Sequence, residues 1–166
     1  MATAKQLREE FVRGLERMQM DYAILDESDN FMSVSLVLSK VAVTVYIEFD
    51  KNGDNASVVH FYAPWIVKFE EKDLSEIYTA MNALNRRFPF MKWTIDEDIC
   101  YVSCKADDFV FGGAEVACMC QLGAIFQIAE ERVVSLGDLV TPRMGDNRDS
   151  VIQELYNATH PHCTDG

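Results

Sequence analysis

Between Met32 and Phe49 the apolar residues fall on alternate positions: Met32, Val34, Leu36 and Leu38, then Val41, Val43, Val45, Ile47 and Phe49. Ser33, Ser35, Thr44, Tyr46 and Glu48 stand between them. A period of two sends successive side chains to opposite faces of a strand, so this stretch belongs to a sheet with one buried face. Upstream the period is different. From Thr3 to Gln19, Leu7, Phe11, Leu15 and Met18 recur at helical spacing among Lys, Arg and Glu, which predicts an amphipathic first helix.

Asp50-Lys51-Asn52-Gly53-Asp54-Asn55 separates the alternating run from another strand, Ser57 to Tyr62. Asn-Gly tolerates positive φ at both turn positions, so the two strands are expected to be antiparallel neighbours. Pro64 interrupts the second, and Ile66 to Phe69 continue it only if the proline sits at an edge or bulge. Asp73 is placed to cap a second helix carrying Leu74, Ile77, Tyr78, Met81, Leu84 and Phe88 and ended by Pro89. Met91 to Ile95 and Ile99 to Lys105 then form a hairpin through the acidic turn Asp96-Glu97-Asp98.

Gly112-Gly113 opens a long helix to about Val133, in which Val116, Met119, Cys120, Gly123, Phe126 and Ile128 give a wide apolar arc. Gly137 to Arg148 reads as a polar connector, Ser150 to Tyr156 as a short last helix, and Thr159 to Gly166 as a mobile end without periodicity. One domain over 1–136 is expected, with 137–166 as linker, short helix and tail.

Composition narrows the function. A net charge of -12 repels phosphate backbones and anionic membranes, and the only adjacent basic pair is Arg86-Arg87, so neither nucleic acid nor membrane is an expected partner. Five cysteines in a chain of 166 residues, long enough for a real core, suggest reduced thiols in the cytoplasm rather than a disulfide framework.

The predicted class is α+β, with an antiparallel sheet of five to six strands in the order α-β-β-β-(β)-α-β-β-α. That order resembles the type III secretion chaperone-like fold. Met81-Asn82-Ala83-Leu84-Asn85, the turn from Phe88 to Trp93, the acidic hairpin at Asp96 to Asp98, and Phe111-Gly112-Gly113 are similar to the YbjN family of sensory-transduction regulators. The resemblance implies a binding or regulatory module, commonly a homodimer, with no catalytic residue to carry over.

Candidate chemistry is sparse. The Asp50 to Asp54 segment lacks a calcium loop, because Asn55 and Phe61 occupy the positions that need Gly and Glu. Cys118 and Cys120 point to nearly opposite sides of a helix, and Cys100 and Cys104 are about 13 Å apart along a strand, so neither pair chelates. His60, the one histidine of the folded region, would need a thiol beside it to make a nucleophilic site. His160, His162 and Cys163 are zinc-type ligands, but three on a tail lack an orienting shell. Glu115 would occupy the positive pole that Gly112-Gly113 could offer a phosphate. Asn82 and Asn85, a turn apart, are expected to satisfy sheet-edge backbone.

No metal and no cofactor is expected. Tyr46, Tyr62 and Tyr101 alternate outward and are the candidate partner-binding residues, tyrosine being favoured in interfaces. The leading expectation is a non-enzymatic protein- or peptide-binding module, a homodimer as the resemblance implies. The alternatives are a small thiol/His hydrolase at His60 and a small-ligand sensor with a closed apolar pocket under the long helix.

Overall fold

The computed structural model describes residues 3–26, 31–49, 58–110 and 114–142. Helix α1 (Ala4–Arg17) begins with a capping box: the Gln6 amide donates to Thr3 Oγ1 at 3.2 Å, and the Thr3 amide donates to Gln6 Oε1 at 2.8 Å. Such a cap contributes about 1 kcal/mol. Leu7, Phe11 and Leu15 are buried as their spacing predicts. Met18 is not: it is the C-cap residue and 66% exposed, because the chain leaves the helix there and turns at Gln19 with φ 54°.

Among the described residues seven strands form one sheet in the order β1-β2-β3-β4-β6-β5, with β7 paired to β4. They are β1 (Tyr22–Asp26), β2 (Phe31–Val37), β3 (Ala42–Phe49), β4 (Val58–Phe69), β5 (Met91–Asp96), β6 (Tyr101–Phe109) and β7 (Val140–Pro142). Each pairing is antiparallel. Helix α2 (Leu74–Arg87) lies between β4 and β5 in the chain, and α3 (Ala114–Leu136) follows β6. The expected α+β class and element order are present, with one more strand than expected. Residues 137–139 make a 3₁₀ turn and 140–142 join the sheet beside Val67 to Phe69, where the sequence reads only a polar connector.

Pro64 does not end its strand. β4 runs through it for 12 residues, and the pairing with β6 shifts between Ala63 and Val67, so the proline sits in a bulge. Asp73 stands at the N-cap of α2 without a side-chain capping bond, because a 3₁₀ turn over Glu71–Asp73 leads into that helix. β6 extends to Phe109 rather than Lys105, and Cys100 lies before it at φ 56°, in the turn and not on the strand. The Asn52-Gly53 turn, Gly112-Gly113, the helix expected over Ser150 to Tyr156, and His160, His162 and Cys163 lie outside the described residues.

Among the described residues a single core cluster takes the inward residues of the strands together with buried residues of α1, α2 and α3. Val34, Val45, Ile47, Phe49, Val59, Phe61 and Cys104 meet Phe11 and Leu15 of α1, Ile77 and Leu84 of α2, and Leu122 and Ile125 of α3. The helices therefore cover one face of the sheet. α1 approaches α3 closely at Gly14, where an added Cβ would come within 2.8 Å of Glu115 Cγ. Beside it Glu115 pairs with Arg17, so the acid expected to fill the start of α3 is engaged by α1 instead. α3 is buried on one side rather than all round, although apolar residues lie on both: Cys118, Leu122 and Ala129 are inside, while Val116 is 68% and Val134 60% exposed.

Candidate partner-binding face

The face away from the helices is set by strand register. Tyr46 of β3 lies opposite Tyr62 of β4, Tyr62 opposite Lys105 of β6, and Lys105 opposite Lys92 of β5, forming one row across four strands. A second pairing, Lys68 with Tyr101, lies beyond the bulge. The three tyrosines that alternation singles out do share this face, but not equally. Tyr62 and Tyr101 are half-buried. Tyr46 is only 2% exposed, stacked on Phe31 at 5.9 Å between ring centroids with 20° between the planes. Its ring is covered and has no surface to offer a partner.

Trp65 completes the cluster, and its position depends on the bulge. Its φ is 49°, a left-handed conformation that costs a bulky residue about 1–2 kcal/mol, and its amide donates to Ser103 Oγ at 3.0 Å. The indole lies 6.3 Å from the Tyr101 ring. Lys68 Nζ is 5.9 Å from the centroid of Tyr101, and Lys105 Nζ 5.1 Å from that of Tyr62. These are cation–π contacts worth about 0.5–1 kcal/mol each at exposed sites. Burial raises the Tyr62 hydroxyl above its ordinary value, a hydrogen bond with Ser103 works against this, and the Asp96 charge adds to it. Tyr62 therefore stays a neutral donor near pH 7, and the positive charge of the face comes from lysine.

His60 is on the same outer face, toward the far end of β4. Its Nδ1 lies 2.7 Å from Asp107 Oδ1, its partner across β4 and β6. Cys104 pairs with Ala63 and faces the core, so it points away from His60 through the sheet. Burial pushes the Cys104 thiol up to about 12, and burial with the Asp108 and Glu10 charges does the same for Cys118. A thiol is a nucleophile only as thiolate, so neither is activated. Cys100 Sγ contacts the Glu97 carbonyl oxygen at 3.5 Å, and Cys120 is exposed on α3. Among the described residues no group of three potential metal ligands comes together.

Asn85 holds the edge of the sheet as expected. The Trp93 amide donates to Asn85 Oδ1 at 2.7 Å, and Asn85 Nδ2 donates to the Trp93 carbonyl at 3.0 Å. Asn82 is exposed and does not share that role. Between α2 and α3 the described residues form a cleft. Its volume is about 220 Å³, and Arg87 and Arg132 rim an apolar floor that includes Met81, Leu84 and Leu136.

Lys92 and Lys105 are legible from alternation, since each flanks an inward residue, Trp93 and Cys104. Trp65 carries no such signal, because only the bulge turns it outward.

No family model matches the chain, and no curated protein matches it. No helix among the described residues is long and apolar enough to cross a membrane. The crystal structure of the ExsC-ExsE complex contains a chain with a TM-score of 0.54 to this one. The match has 14% identity and covers 78% of this chain and 92% of that one. At this identity the likeness concerns architecture alone. The chain has the type III secretion chaperone-like fold.

Proposed function

We propose that the chain is a non-enzymatic, cytoplasmic binding module of the secretion-chaperone-like and YbjN-like regulatory kind, that it works as a homodimer, and that it holds a protein or peptide partner. One observation carries this reading. The helices are gathered on one face of the sheet, and the other face presents half-buried Tyr62, Trp65 and Tyr101 beside exposed lysines. Rings of this kind supply large contact area at low entropic cost, which is what an interface needs. The similar chain comes from a complex, ExsC with ExsE, and this supports a binding role by analogy of fold. The high thiol pKa values and the separation of His60 from Cys104 by the sheet argue against the thiol-hydrolase alternative.

The test is affinity capture from an extract of the source organism under gentle crosslinking, run with the parent and with Tyr62→Ser combined with Tyr101→Ser, alongside light scattering. A dimer that enriches one or two proteins near stoichiometry, and a folded variant that loses them, would support the proposal. Equal capture by both would remove the face from it, and a monomer that enriches nothing would overturn the binding role.

A further inference from the structure

We infer that the outer face of β4, β6 and β5 takes an acidic segment of its partner, with carboxylates on Lys68, Lys92 and Lys105 and apolar or aromatic side chains against Tyr62, Trp65 and Tyr101. This rests on the binding role proposed above and adds the chemistry of what is bound.

Two local violations of folding preference meet on this face. Lys92 and Lys105 are directly opposite one another in the β5–β6 register. Like charges in that position repel, and among the described residues neither is in an ion pair. Trp65 is held in the left-handed region at the bulge, which brings its indole beside Tyr101. Bulges re-aim side chains at functional sites, and local rules are broken where function needs it.

The charge is also out of character for the chain. Three of its seven lysines gather here in a protein of net charge -12. The acids that share the face are Asp96, opposite Tyr101 near the turn, Asp107, engaged by His60, and Glu48, opposite His60 on β3 and outside the three strands of the proposed site. A bound carboxylate would relieve the lysine pair. The remote negative charge of the protein is screened beyond about 8 Å at physiological salt, whereas contacts made on the face are not. A nucleic acid carries a continuous run of phosphates that would extend past the face onto the acidic remainder of the chain, whereas carboxylates interspersed with apolar side chains can be confined to it, so an acidic peptide is favoured over nucleic acid.

The probe is a fluorescent random copolymer of Glu and Tyr, titrated by anisotropy at 0.15 M and 1 M salt against a Lys-Tyr copolymer and poly-uridylate. The parent should bind the Glu-Tyr copolymer, and Lys92→Gln combined with Lys105→Gln should weaken it by about tenfold, as should high salt. Lys92→Gln alone should raise the melting temperature by about 1–3 °C while weakening binding, a combination that a purely structural lysine would not give. Equal affinity of parent and double variant, or tighter binding of either control polymer, would overturn the inference. A natural partner captured equally well by parent and double variant would also overturn it while leaving the binding role intact.

Discussion

Adjacent rows of the same sheet follow opposite rules. Ile47, Phe61, Ala106 and Met91 are paired in sequence across β3, β4, β6 and β5, and none is more than 4% exposed. One residue along each strand, Tyr46, Tyr62, Lys105 and Lys92 form the outer row. The inner row satisfies burial and packing together. In the outer row a lysine faces a lysine, and just beyond it a tryptophan sits in a strained conformation. Stability is thus concentrated on one side of the pleat, and the other side is free to carry features that folding alone would not select.

The largest effect that tests this contrast is a pair of substitutions on neighbouring residues. Phe61→Ala should cost about 3–5 kcal/mol in urea unfolding through the cavity it leaves, and Tyr62→Ser much less. Comparable costs would mean that the two faces do not differ.

Alkaline titration tests the inner side by a different route. Cys104 and Cys118 have folded pKa values of about 12, above the ordinary thiol value of 9.0, so the folded state holds their protons longer than the unfolded chain. Their contribution is complete below about pH 9 and declines as pH rises toward 12, by at most about 1.4 kcal/mol per pH unit for each thiol. Unfolding midpoints between about pH 8 and 10.5 should fall, and Cys104→Ala should flatten the slope. Native protein at about pH 8 should leave both thiols unlabelled by a disulfide reagent while exposed Cys120 reacts.

Asn85→Ala should cost about 1–3 kcal/mol, because it leaves the amide and carbonyl of Trp93 without their partner. Hydrogen exchange at the Trp93 amide should accelerate more than at the neighbouring β6 amides. The smallest expected effect compares two replacements of one residue. Trp65→Gly should be more stable than Trp65→Ala by about 1 kcal/mol, since glycine adopts φ 49° without strain. Equal stabilities would show that the bulge stores no strain at this position.

Most of the scaffold is legible in the sequence because its periods are strong. The alternation from Met32 to Phe49 and the spacing of Leu7, Phe11 and Leu15 leave few other solutions, and the Asn85 role follows from the need to satisfy an edge. What is not legible depends on distant contacts. Val140–Pro142 has three residues, too few to show a period, and becomes a strand only because β4 extends past β3 and offers free backbone. Met18 and Val116 fit a helical stripe but lie at helix ends, where there is no neighbour to cover them. Alternation puts Tyr46 on the correct face, yet only the pairing across β2 and β3 brings Phe31 against its ring. Trp65 depends on a register shift that no local pattern announces.

The Asn85 contact also bears on how copies of this chain can join. Strand β5 is one end of the sheet, and its outward groups include the Trp93 amide and carbonyl held by Asn85 and the Met91 amide, which donates to the Phe88 carbonyl. A strand arriving at that end finds these three groups taken. At the other end β1 has five residues and a register break between Ile24 and Asp26. Edge-to-edge growth needs an open strand at both ends, so each backbone group that α2 and the Phe88 turn occupy on β5 works against fibre-like pairing of copies.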